Sequence, residues 1–118
     1  MIQSYRDLVA WQKAMDLVET IYHLSKQFPK EELYGLTSQI RRAAISIPSN
    51  VAEGHARLSK GEFCQFIGHA RGSLAEVSTQ VLLALRLGFI KQSDADIALA
   101  SADEVGRILN GLLASLRK

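Results

Sequence analysis

Cysteine is nearly absent from this chain: Cys64 is the only one in 118 residues. That excludes a disulfide framework and the Cys-rich zinc modules. A lone thiol behind an N-terminus with no basic-then-apolar signal pattern predicts a cytoplasmic protein. No apolar run approaches the ~20 residues needed to cross a bilayer, so no membrane role is expected. Only two prolines occur, Pro29 and Pro48, and no low-complexity tract separates the chain into parts. Residues 1–118 therefore read as one domain. A surplus of one charge sign is also missing. Fourteen Lys and Arg face twelve Asp and Glu, giving +2. The sequence pI of about 8.9 and the scattered basic residues permit a nucleic-acid role without indicating one.

What is present is hydrophobic residues, 47% of the chain, at helical spacing. Strict apolar/polar alternation, the mark of a half-buried strand, does not occur, and the 3.6-residue period runs throughout. It predicts four helices. The first spans about 5–28. Leu8, Trp11, Met15, Val18 and Tyr22 form one stripe, and Ala14, Leu17, Ile21, Leu24 and Phe28 form a second beside it. Together they cover more than the ~100° arc that one core-facing helix needs. Pro29 ends this helix, because a residue before proline avoids the α region.

The second helix is expected over 36–53, with Gly54 as its C-terminal cap. Leu36, Ile40, Ala43, Ala44, Ile47 and Val51 make its core stripe. Pro48 lies inside this pattern, removes one backbone donor and crowds the Ala44 carbonyl, which predicts a kink. A break with a restart at Ser49 is the alternative, but Ile47 and Val51 stay in phase with Ile40. A loop over 55–58 follows. Ser59 and Glu62 form a capping-box pattern for the third helix. That helix continues through Phe63, Ile67, Ala70, Leu74, Val77, Val81 and Leu85 to about 87, where Gly88 stops it. The fourth starts at Ser93, with Asp94 and Asp96 in its first turn, and runs through Ala98, Val105, Leu109, Leu112 and Leu116. Four amphipathic helices with short connectors predict an all-α, antiparallel up-down-up-down four-helix bundle.

Chemistry is hard to place on this frame. A di-iron bundle needs Glu-x-x-His pairs aimed inward, and no glutamate here has a histidine three residues later. His23, His55 and His69 fall on separate elements, and Cys64 sits at the edge of the third helix's core stripe. No nucleophile elbow, P-loop or dinucleotide fingerprint occurs. The expectation is a non-enzymatic protein without metal or cofactor.

Two features stand out. Ile45 and Ala52 point away from the second helix's core stripe, next to Pro48. On the third helix Gly68, Gly72, Ala75 and Thr79 form a second stripe of small side chains. These residues are a candidate oligomer interface, since large uncovered apolar patches are rare on monomers. The other feature is the basic set Arg41, Arg42, Arg57, Lys60 and Arg71. In a ring, symmetry would repeat it into a continuous positive surface for RNA or DNA phosphates. No aromatic interleaves with these charges, so a base-stacking platform is not indicated.

The stretch Gln39-Ile-Arg-Arg-Ala-Ala-Ile-Ser-Ile-Pro-Ser-Asn-Val-Ala-Glu-Gly54 closely resembles the hallmark of a family of four-helix bundle proteins. They are encoded in intervening sequences of bacterial large-subunit ribosomal RNA genes. Leu8, Trp11 and Ala14 match that family's opening helix, and Phe63, Phe66, Ala70, Gly72, Ser73 and Glu76 its third. The resemblance covers about 5–115. It implies an antiparallel bundle that assembles as a ring-shaped homopentamer. It also implies two partners seen among some relatives: nucleic acid held on a basic surface, and the reverse transcriptase of a diversity-generating retroelement. The net charge of +2 departs from the strongly basic relatives. Arg41, Arg42, Ser49, Asn50 and Glu53 lie in the best-matched stretch. Ser49 or Asn50 could satisfy the carbonyl freed by Pro48, and an arginine could pair with Glu53.

Overall fold

The computed structural model describes residues 4–118, and within them every regular element is helical. Four long helices form the body: α1 (Val9–Ser25), α2 (Leu36–His55), α3 (Lys60–Arg86) and α4 (Gln92–Leu116). Each packs on the next in sequence, and α4 closes on α1. The result is a four-helix bundle with extents of 44 × 24 × 19 Å.

One stripe from each helix fills the centre. Ala14, Leu17 and Ile21 of α1 meet Ile40, Ala44, Ile47 and Val51 of α2, all fully buried. Ile67, Ala70, Val77 and Val81 of α3 join them with Ala95, Ala98, Ala102, Val105 and Leu109 of α4. Burying a side chain of this size stabilises the fold by roughly 1.5–3 kcal/mol, offset by conformational entropy. On α4 the structure buries Leu113, while Leu112 and Leu116 are only half-buried.

The ends of the helices differ from the sequence reading in four places. Residues 5–8 do not continue α1. Ser4 caps a short 3₁₀ turn (Tyr5–Asp7) through a reciprocal capping box, and Leu8 is extended before α1 begins. The α1 helix ends at Ser25, short of Pro29, and turns over 26–28 carry the chain on. The third difference is Gly54. It is no cap: α2 runs on to His55 and is closed by Ala56. Finally, α4 starts at Gln92 with Lys91 as its cap residue, so Ser93 and Asp94 lie inside the first turn.

The α2 helix is continuous through Pro48, so the alternative of a break at Ser49 is not what the chain does. Ser59 caps α3 by accepting from the Glu62 backbone N–H at 3.1 Å. The Glu62 carboxylate in turn accepts from the Ser59 hydroxyl at 3.2 Å. Gly88, with φ of +78°, closes α3: its N–H donates to the Leu85 carbonyl and that of Phe89 to the Ala84 carbonyl. This is the left-handed conformation that glycine adopts without a Cβ penalty.

Candidate interaction surfaces

At the α2–α3 contact, small residues set the spacing. A Cβ on Gly54 would lie 2.7 Å from the Phe66 Cβ and 3.3 Å from the Phe63 carbonyl oxygen. Gly54 is thus a point of close helix approach. Further along the same contact, the Ser46 hydroxyl donates to the Ala43 carbonyl at 2.9 Å and is hydrogen-bonded to the Ser73 hydroxyl. Asn50 donates to the Ser46 carbonyl at 2.7 Å. The Asn50 amide therefore serves Ser46 and not the Ala44 carbonyl opposite Pro48.

The five basic residues do not form one patch on the chain. Arg41 is tied to α1: its Nε donates to the Ser25 hydroxyl at 2.8 Å, and its guanidinium lies 4.7 Å from the Tyr22 ring centroid. Arg57 pairs with Glu53 at 3.2 Å and lies 4.6 Å from the Phe66 centroid. Both support local packing, and the arginine that pairs with Glu53 is this one, one turn along. Arg42 faces the α2–α3 groove beside Gln39 and Glu76. Arg71 faces the α3–α4 groove with Asp103, Arg107 and Asn110. Lys60 is exposed at the start of α3. Arg107 was not singled out from the sequence, because its nearness to Arg71 depends on how α3 and α4 pack.

The apolar candidates divide into two faces. Ile45, Pro48 and Ala52 line a groove of about 370 Å³ between α1 and α2, opposite Trp11, Met15 and Val18, with Tyr5 at one end. Met15 is 38% exposed and Ile45 42%. Three residues of the first of α1's two apolar stripes line this groove. The second stripe fills the core, while in the first Leu8, Trp11 and Val18 pack on the core's edge and Met15 and Tyr22 are exposed. Pro48 itself is buried. Gly68, Gly72, Ala75 and Thr79 lie on the outer face of α3 and are exposed. Beta carbons added at Gly68 or Gly72 would meet nothing within 4 Å. The Thr79 hydroxyl donates to the Ala75 carbonyl at 2.8 Å, so its methyl is left to face outward.

Among the described residues no group of His, Cys, Asp and Glu is arranged to hold a metal ion, and no helix is long and apolar enough to cross a membrane. His55 packs edge-on to Phe63, and His69 stacks on Phe66, which gives both rings ordinary packing roles.

The family model of the 23S rRNA-intervening sequence protein matches residues 6–111, and the chain belongs to that family. No curated protein matches it significantly. Among solved structures, it is similar to a protein of unknown function from the S23 ribosomal protein family of Bacteroides thetaiotaomicron VPI-5482. The TM-score is 0.82 at 20% identity, covering 89% of this chain and 98% of that one. At that identity the likeness concerns the fold.

Proposed function

We propose that this family member is a non-enzymatic subunit of a homo-oligomer, a scaffold whose bundle is one building block. The observation behind this reading is the α1–α2 groove. Trp11, Met15, Val18, Ile45 and Ala52 gather there over the buried Pro48 into one apolar groove that no other described residue covers, with Met15 and Ile45 open to water. Covering such a surface with a second copy is favourable at roughly 25 cal/mol per Å² of apolar area removed from water, before the cost of association. The family resemblance supports a ring of five as the form of that assembly.

A phosphate-binding role is the second reading, and it depends on the first. Arg41 and Arg57 are engaged within the fold, which leaves Arg42, Lys60 and Arg71 of the basic set to meet a nucleic-acid backbone. Three cations on separate parts of one subunit are a weak site, and repetition around a ring would make them a belt.

Light scattering or sedimentation tests the assembly: a mass several times that of the 13.0 kDa chain is expected, and a monomer at micromolar concentration refutes the reading. Titration with single- and double-stranded RNA and DNA at two salt concentrations tests the second. Binding at low salt that Arg42→Ala with Arg71→Ala abolishes supports it, and binding unchanged by that pair removes it.

A further inference from the structure

The two uncovered faces are unlike in shape. The α1–α2 groove has Trp11, Met15 and Val18 on its α1 wall and Ile45 and Pro48, with the smaller Ser49 and Ala52, on its α2 wall. The outer face of α3 is nearly bare at Gly68 and Gly72 and widens to Ala75, Thr79 and Leu82, the last 46% exposed. Those five positions follow one another at intervals of four and three residues, so they form one straight seam on the helix. A seam of small side chains is a low ridge that lets its backbone come close to a wall of large ones.

Their borders are unlike in charge. Glu19 follows Met15 by one turn and lines the α1–α4 cleft, and Arg42 precedes Ser49 by two turns and lines the α2–α3 cleft, so helical spacing sets each beside the outer rim of the groove. The α3 seam is flanked by Arg71 on its α4 side and by Glu76 on its α2 side. None of the four forms an ion pair among the described residues. With the seam in the groove in one direction, Arg71 faces Glu19 and Glu76 faces Arg42. In the reverse direction like charges meet.

On the reading that the chain self-assembles, we infer that the α1–α2 groove of one copy takes the outer α3 face of the next. Two alternatives use the same surfaces less well. Groove against groove opposes large side chains and leaves the seam bare, and seam against seam leaves the groove bare. The groove-to-seam contact covers both faces at once. It joins two different patches, so it is heterologous, and repeated copies close into a ring or extend as a filament and do not stop at a twofold dimer.

Disulfide mapping tests this, with Cys64→Ser as background to remove the native thiol. Ile45→Cys and Ala75→Cys replace exposed residues on the two faces, one on each. Under mild oxidation the double variant is expected to give a ladder of covalently linked subunits on a denaturing gel, while either single variant stays unlinked. Light scattering of the same reduced samples shows whether they assemble. An assembled protein whose double variant yields no ladder, or whose single variants link to themselves, overturns the face assignment while self-assembly stands. A monomeric protein overturns both.

Discussion

A methyl group added at Gly54 has nowhere to go, because its nearest neighbour is the Phe66 Cβ at 2.7 Å, an atom fixed to the α3 backbone. Gly54→Ala is therefore expected to push α2 from α3 and cost about 1–3 kcal/mol of stability, measured by urea or thermal unfolding. Gly72→Ala is the control. With nothing within 4 Å, the added methyl should raise the stability of the isolated chain by roughly 0.5–1 kcal/mol, through helix propensity alone. The arginines separate in the same way. Arg41→Ala loses the bond to Ser25 and the contact with the Tyr22 ring, and should cost about 1–2 kcal/mol. Arg42→Ala loses no such partner and should leave the unfolding midpoint within the small range of a surface change. Equal destabilisation by both would contradict this division between Arg41 and Arg42.

At the scale of the element, α3 is the longest helix and the one with both ends fixed by recognisable chemistry. Ser59→Ala removes the cap on the Glu62 N–H, and about 1 kcal/mol of stability should go with it. Hydrogen exchange should show the loss first in the opening turn of α3. Ser59 and Gly88 were legible because caps of this kind act within a few residues of chain. Gly54 was misread for the same reason. A glycine after a run of helix looks like a cap locally, and only Phe63 and Phe66, nine and twelve residues on, reveal the close approach. The 3₁₀ turn before α1 is another case: Leu8 fits the helical stripe and the period allows a start at Tyr5, yet Ser4 and Asp7 close their own capping box first.

For the whole molecule, assembly and chain stability should come apart. Ile45→Glu places a charge on the wall of the groove, at a position already open to water. It should leave the unfolding of the isolated chain nearly unchanged and shift the sedimenting species towards monomer. Arg71→Glu should weaken assembly, and Glu19→Arg in the same chain should restore part of it. The effect should shrink as salt is raised, because exposed pairs are screened over ~8–10 Å at physiological ionic strength. Loss of folding in Ile45→Glu, seen as a lower helix content, would place Ile45 in the core instead.

The sequence by itself determined the all-helical class, the four-helix count, most of the buried stripe on each helix, and a surplus of apolar surface. These follow from periodicity, since which residues share a helix face is set by their spacing and by nothing farther away. The identity of the outward-facing stripe of α1 was not fixed that way. Two adjacent stripes have equal claim on the core, and only the placement of α2 and α4 buries Leu17 and Ile21 while leaving Met15 at the surface. The basic set was a list of neighbours in sequence. The fold sends Arg41 to α1 and Arg57 to Phe66, and sets Arg71 beside Arg107, because a guanidinium's partners come from whichever helix packs alongside.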